Sequence, residues 1–208
     1  MPTTTPEYWL RAKRALARRD PRLKAIIRSY RGEALRLRGR GFQTLARAIV
    51  GQQISTKAAD SIWRRMQTAV VRVTPARVAS APAELLRAAG LSNAKVVYMQ
   101  SLAAHFLENS RQIRKWPLMT DEEIVGELVS IRGIGRWTAE MFLIFSLGRP
   151  DIFPIDDLGL LRGIHRHYNA GEKMSKPELL AIGETWRPYR SLGTWYMWRV
   201  LDPVPVEY

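Results

Sequence analysis

Two neighbouring carboxylates, Asp156 and Asp157, close the segment GRPDIFPIDD at the point where a helix is predicted to begin. A carboxylate at a helix N-terminus interacts favourably with the helix dipole, and it can cap the helix or stabilise a positive charge that develops nearby. Either residue could serve one of these two roles. On these two residues alone, a double N-cap without chemistry is the better interpretation.

A second segment, LVSIRGIGRWTA, joins two predicted helices through Gly133 and Gly135. A turn this tight usually needs a positive φ or a close backbone approach, which glycine allows. The N–H groups that follow Gly135 begin a helix and can bind a phosphate oxygen, to which Arg136 and Thr138 can add a charge and a hydroxyl. A bare G-x-G is more often an ordinary corner between helices.

The whole string LVSIRGIGRWTAEMF is far more specific, and the segment PIDD ends at Asp157, twenty residues beyond Trp137. Together they resemble the helix-hairpin-helix DNA glycosylase superfamily, and most closely its DNA-3-methyladenine glycosylase II (AlkA-like) branch, from Phe42 to the C-terminus. The resemblance implies two helical subdomains flanking an active-site cleft. It also implies that Asp157 is the catalytic carboxylate, which faces a sugar that becomes cationic as its base departs. We therefore assign the capping role to Asp156.

Trp137 decides the subclass that the resemblance implies. Superfamily members that also cut the DNA backbone carry a lysine at this point of the hairpin, whose amine forms a Schiff base with the sugar. An indole cannot do so. We therefore expect a monofunctional base-excision repair enzyme that needs no cofactor and leaves an abasic site.

The resemblance also predicts a base pocket. In similar enzymes the tryptophans that match Trp137 and Trp198 line this pocket. Two indole faces suit cationic lesions such as 3-methyladenine or 7-methylguanine. Met141 and Leu158 stand where the bacterial prototype has aromatic pocket residues, which leaves the breadth of substrates open. Burial of both tryptophans in the core is the alternative, and for Trp198 the two interpretations are equally supported.

Base flipping leaves a gap in the duplex that a protein side chain must fill. In the resembling family this side chain lies in the loop that reads GQQIS here, at the position of Gln53. An amide at this place can also hydrogen-bond the orphaned partner base. Without the family context, GQQIS would be interpreted as a helix junction with a solvated Gln53.

The charge of the chain independently favours a polyanionic partner. The sequence has 33 Lys and Arg against 19 Asp and Glu, a net charge of +14, and residues 1–104 carry 20 of the basic but only 5 of the acidic side chains. Such a field attracts nucleic acid but is poor evidence for an enzyme. We expect double-stranded DNA with damaged bases as the partner, and a monomeric protein. Deaminated or oxidised bases, or lesion binding without catalysis, remain alternatives.

Other classes of site find little support. The absence of cysteine excludes disulfides, thiolate zinc sites and iron–sulfur clusters. His165 and His167 are two residues apart and would point to different faces of a helix, so we expect no metal. No run approaches the ~18 apolar residues of a membrane span, and no signal peptide is visible. We expect a cytoplasmic protein at the bacterial nucleoid, or a nuclear one in a eukaryote.

The pattern of apolar residues predicts an all-α chain, with Ala69–Val73 as its single strand-like piece. We predict an inner subdomain over 42–150 with the hairpin, and an outer subdomain formed by both termini, 1–41 and 151–208. The predicted helices are Glu7–Arg18, Pro21–Tyr30, Phe42–Val50, Ser55–Val70, Pro82–Ala89, Ala94–Glu108, Asp121–Val129, Trp137–Leu147, Asp157–His167, Lys176–Glu184 and Tyr189–Val200.

Overall fold

The computed structural model describes residues 4–38 and 41–201, and within these ranges the chain is mostly helical. The all-α prediction is confirmed. The helices of this part of the chain are α1 (Trp9–Arg19), α2 (Pro21–Ser29), α3 (Gly41–Gly51), α4 (Thr56–Val70), α5 (Pro75–Ala79), α6 (Ala83–Ala88), α7 (Asn93–Glu108), α8 (Ser110–Ile113), α9 (Asp121–Val129), α10 (Arg136–Phe145), α11 (Leu158–Tyr168), α12 (Lys176–Thr185) and α13 (Arg190–Arg199).

Extended structure is confined, among these residues, to one isolated bridge between Thr4 and Leu37. The strand-like interpretation of Ala69–Val73 was wrong. α4 continues through Val70, and the chain then turns sharply at Val71, whose φ is +62°. The β-branched side chains Val70 and Val73 are buried at the end of that helix rather than in a strand.

The described chain divides into two compact units, one made of residues 4–38 and 143–201, the other of residues 41–142. The chain leaves the second unit within α10. The predicted subdomains, 42–150 against 1–41 with 151–208, stay a prediction, and residues 1–3, 39, 40 and 202–208 of those ranges lie outside the described residues.

In the unit that contains both chain ends, α13 packs on α11 and on α1. Asp20 connects three of its parts. The carboxylate caps α2 by accepting from the backbone of Arg22 and Leu23, and it also accepts from the hydroxyl of Tyr168 and, at 3.3 Å, from the indole of Trp186. The predicted start of this helix at Pro21 is therefore confirmed, and the carboxylate of Asp20 also anchors α11 in this unit.

In the unit of residues 41–142, α3 packs between α7 and α4 over a core that includes Leu45, Ile49 and Met99. α9 begins at a capping box, in which Thr120 and Glu123 each bond the backbone of the other. These helices carry the hairpin and the GQQIS loop. No helix within the described ranges is long and apolar enough to cross a membrane.

Candidate active site

Asp157 is buried, with 7% of its surface exposed, at the start of α11. Its Oδ1 accepts a hydrogen bond from the backbone N–H of Leu160 at 2.6 Å and from the indole Nε1 of Trp198 at 2.7 Å. Two donors from different helices therefore fix the direction of the carboxylate. Hydrogen bonds to a charged acceptor are stronger than those between neutral groups, so this orientation is well held.

The capping role assigned to Asp156 was wrong. The N-cap of α11 is Asp157 itself, in an extended backbone conformation, whereas Asp156 is exposed. Spacing explains the difference, because the carboxylate directly before the first helical residue is the one that reaches the N–H of the third.

Trp198 contacts Asp157 through its edge and Phe145 through its face. The rings of Phe145 and Trp198 are stacked with centroids 5.7 Å apart, and Trp198 is only 6% exposed. The core interpretation of Trp198 is thus supported, together with a polar role at the carboxylate that the sequence did not predict. Its part in a base pocket stays a prediction.

Gly159 allows this close arrangement. A β-carbon at Gly159 would lie 2.9 Å from Cδ1 of Trp198 and 3.1 Å from Oδ1 of Asp157. One turn later, a β-carbon at Gly163 would lie 2.6 Å from the carbonyl oxygen of Met197. Two glycines four residues apart on one helix face are a signal for close helix approach that the sequence analysis missed.

The remaining predicted pocket residues differ in environment. Trp137 is half-buried and Met141 is 3% exposed, and both belong to the unit of residues 41–142. Leu158, the first residue of α11, is 67% exposed and belongs to the other unit, as Trp198 does. The common pocket of these four residues stays a prediction.

The two hairpin glycines have different roles. Gly133 has a φ of +90°, as predicted for a tight turn, and a β-carbon there would clash with the ring of Tyr98. Gly135 has open space around its β-position, and its carbonyl accepts the N–H of Ala139 at the start of α10. Only Gly133 is therefore required by the folded chain.

Two further hairpin residues are engaged within the protein. The guanidinium of Arg136 forms a two-pronged contact with Glu122 at 2.5 and 3.1 Å and a third bond with Glu140 at 3.1 Å. The hydrogen bond from Arg136 lowers the pKa of Glu122 and is the main reason that the pKa of Arg136 itself is raised. Thr138 is buried, at 5% exposed.

Gln53 is exposed and has a left-handed backbone with φ +57°. The preceding Gln52 was not singled out by the sequence, but its side-chain Nε2 donates to the carbonyl oxygen of Gly133 at 2.9 Å. The GQQIS loop is therefore bonded directly to the hairpin. Among the described residues, no group of three His, Asp or Glu side chains is placed to hold a metal ion.

Comparison with known proteins identifies the family. Residues 46–188 match the model of the HhH-GPD superfamily base excision DNA repair protein. The chain belongs to this superfamily. The resemblance seen in the hairpin and in PIDD is thereby confirmed.

The relatives of this HhH-GPD protein include enzymes of the predicted branch. It is 31% identical to the putative DNA-3-methyladenine glycosylase YfjP of Bacillus subtilis, over 86% of this chain and 66% of that protein. It is also 31% identical to DNA-3-methyladenine glycosylase 1 of Schizosaccharomyces pombe, over 86% of this chain and 80% of that one.

Solved structures of the superfamily have the same fold. The crystal structure of a DNA-3-methyladenine glycosidase from Bacillus halodurans superposes with a TM-score of 0.82 at 34% identity, covering 90% of this chain and 87% of that one. The 3-methyladenine glycosylase Mag1 of Schizosaccharomyces pombe, in complex with abasic DNA, superposes with a TM-score of 0.77 at 28% identity and covers 91% and 95%.

Proposed function

We propose that this chain is a DNA glycosylase that hydrolyses the N-glycosidic bond of alkylated purines, of the 3-methyladenine and 7-methylguanine type, in base excision repair. Membership of the superfamily and the names of the relatives support the reaction and the substrate class. The observation that carries the proposal is the buried carboxylate of Asp157, which Leu160 and Trp198 hold in one orientation at the start of α11.

In the proposed reaction the bond between the sugar C1′ and the purine nitrogen breaks, and the electron pair leaves with the base. An alkylated purine is already cationic and departs as a neutral base, so little acid catalysis is required. Asp157 stabilises the positive charge on the sugar, and water adds to C1′ while its proton passes to the solvent. The products are the free base and an abasic site. Trp198 is a positioning residue, because it acts through Asp157.

We also infer that the enzyme lacks strand-cleaving lyase activity. Trp137 occupies the hairpin position at which the lyases of the superfamily carry a nucleophilic amine, and an indole cannot form a Schiff base. The strand should therefore remain intact after base release. Sodium borohydride should trap no covalent complex between this protein and a lesion-containing duplex.

The DNA contacts of the proposal centre on the hairpin and the GQQIS loop. The open space at Gly135 suits a phosphate that approaches the first N–H groups of α10, next to Gly133, Arg136 and Thr138. Gln53 fills the gap that the flipped base leaves. We infer that a monomer acts on duplex DNA wherever the genome lies, in the nucleoid or the nucleus.

Asp157→Asn tests the proposal, with Asp156→Asn as a matched control that makes the same charge change on the exposed neighbour. Both variants are given a methylated duplex, and free base is measured by chromatography. Asp157→Asn should release base slower by a factor on the order of 10²–10³ while it still binds the duplex, and Asp156→Asn should resemble the wild type.

Undiminished release by Asp157→Asn would contradict the assignment of the carboxylate. A parallel set of duplexes with a deaminated or an oxidised base tests the substrate class, since faster release from either would move the proposal to that lesion. A wild-type protein that binds all of these duplexes and releases no base would be a lesion-binding module.

A further inference from the structure

Lys95, near the start of α7, bonds the end of the helix that precedes the GQQIS loop. Its Nζ donates to the carbonyl oxygens of Val50 and Gln52, each at 2.7 Å. The last carbonyls of a helix lack partners within it and lie at the negative end of its dipole, so a lysine ammonium there is favourable. Partial burial of the ammonium lowers the pKa of Lys95.

Two hydrogen bonds to other parts of the unit therefore meet at Gln52. Its carbonyl oxygen accepts from Lys95, and its side-chain amide donates to the carbonyl of Gly133 in the hairpin. The next residue, Gln53, has a left-handed backbone, which costs free energy for a residue with a β-carbon and persists only where its surroundings hold it. The two hydrogen bonds of Gln52 restrain the backbone on the N-terminal side of Gln53.

We propose that Lys95 is a positioning residue for Gln53. Its ammonium holds the end of α3 and the backbone of Gln52, and this fixes the position of the exposed Gln53 amide relative to the hairpin. The inference rests on the proposed function, in which Gln53 enters the gap in the duplex. A side chain that must replace a flipped base benefits from a backbone ordered in advance, because no ordering cost remains to be met on insertion.

This role differs from that of a lysine that binds phosphate. Two of the three ammonium hydrogens of Lys95 are directed at backbone carbonyls of its own chain. Removal of a phosphate-binding lysine would lower affinity for every duplex, whereas removal of a positioning lysine would lower affinity only where a side chain must be inserted. The difference between intact and abasic duplexes therefore separates the two roles.

The absence of cysteine from the chain permits a clean test. Lys95→Cys removes the ammonium, and treatment with 2-bromoethylamine converts that single cysteine to aminoethyl-cysteine, which restores an ammonium at nearly the original length. Lys57→Cys, treated in the same way, is the matched control, since Lys57 is exposed in the first turn of α4 and belongs to the same unit.

Insertion is measured without catalysis. Binding is titrated against an intact duplex and against one with a tetrahydrofuran abasic site, whose partner base is 2-aminopurine, so that its fluorescence reports contact with the inserted side chain. Lys95→Cys should bind the abasic duplex about ten-fold more weakly and abolish the fluorescence change, as expected when charged hydrogen bonds are removed, while its affinity for the intact duplex changes by less than about two-fold. Aminoethylation should restore both signals.

Equal loss of affinity on the intact and abasic duplexes, or no recovery after aminoethylation, would overturn the proposal. Gln53→Ala provides a further check, because Lys95→Cys should cause no additional loss of insertion in that background if Lys95 acts through Gln53. Additive effects of the two changes would contradict it.

A second variant is available if Lys95→Cys does not fold. Gln52→Met removes the amide bond to Gly133 and leaves the backbone carbonyl that Lys95 binds, and it should also reduce insertion at the abasic site. Normal insertion by Gln52→Met would overturn the claim that these hydrogen bonds hold the loop. A failure of base release in the wild type would contradict the proposed function but not the role of Lys95, since the insertion assay needs no reaction.

Discussion

Gly133 and Gly135 stand two residues apart in the hairpin, but the folded chain constrains only the first. Gly133→Ala should lower the free energy of unfolding by about 1–3 kcal/mol, because φ is +90° and the new methyl group meets the ring of Tyr98. Gly135→Ala should leave stability within about 0.5 kcal/mol of the wild type. Chemical denaturation measures both values.

The affinity for DNA should depend on Gly135, although the stability of the fold depends on Gly133. If a phosphate approaches the N–H groups after Gly135, a methyl group at that position should weaken binding to any duplex at unchanged stability. Equal stability changes for the two alanine variants, or unaltered DNA binding by Gly135→Ala, would contradict the roles assigned to them.

Trp198 offers a test of positioning at the carboxylate. Trp198→Phe keeps a ring against Phe145 but removes the indole N–H that Asp157 accepts. A carboxylate with one donor fewer is less well oriented, so base release in a single turnover should fall on the order of ten-fold while the affinity for the duplex is retained.

Trp195→Phe is the control for that change. Trp195 is a buried tryptophan of the same helix, and its ring contacts Trp9. This variant should release base as the wild type does. A drop in rate for Trp195→Phe as large as for Trp198→Phe would assign both effects to general packing of α13.

The sequence predicted a role for Asp157 but not the residues that hold its carboxylate. The motif spacing carried the choice of residue, whereas the bond to Trp198 joins positions 41 residues apart and depends on how closely α11 and α13 pack. Local patterns contain no such information. The closest available signal was the pair Gly159 and Gly163, which marks the face of α11 where a neighbour approaches.

At the scale of elements, each of the eleven predicted helices is present, and the omissions are short. α5, α8 and the 3-10 turn Trp116–Leu118 contain three to five residues, too few to show an apolar period. α5 did carry a readable start, because Thr74 caps it and Pro75 occupies its first position. The strand-like prediction for Ala69–Val73 was wrong because the β-branched residues there end a helix.

The hairpin helices are joined at their starts by Arg136, which links α9 through Glu122 to α10 through Glu140. Glu122→Gln should cost less than about 1 kcal/mol of stability at pH 7, since both partners are mostly exposed. The same change removes a negative charge beside the proposed phosphate site and leaves Arg136 bonded to Glu140, so binding to an undamaged duplex should tighten. Glu184→Gln, which disturbs the exposed pair between Glu184 in the last turn of α12 and Arg187 beyond it, is the control.

The stability difference should depend on pH in a defined direction. Arg136 lowers the pKa of Glu122 in the folded state, so the contribution of this carboxylate is present above the ordinary glutamate pKa and is lost as the pH falls through the lowered value. The free energies of unfolding of wild type and Glu122→Gln, measured by urea denaturation, should therefore converge as the pH falls through that lowered value. Equal DNA affinities of the Glu122 and Glu184 variants would show that Arg136 serves the fold alone.

At the scale of the whole molecule, positive charge is concentrated near the N-terminus. α1 and α2 contain no acidic residue in their first turns, and the exposed face of α1 carries Arg11, Arg14 and Arg18. Further along that unit, Arg22 and Arg166 line an open cavity of about 390 Å³. A field of this kind accelerates association with DNA and adds affinity that does not depend on sequence.

Replacing Arg11, Arg14 and Arg18 together by glutamine tests whether α1 contacts the duplex. Removal of one arginine–phosphate pair should reduce the slope of log affinity against log salt by about 0.9, so removal of three would flatten it by nearly three. The control is Arg64, Arg72 and Arg77 to glutamine, an equal charge change on exposed residues of the other unit. A larger flattening for the α1 variant indicates direct binding of phosphates by α1, whereas equal flattening by both would mean that the charge of α1 acts only through the general field of the protein.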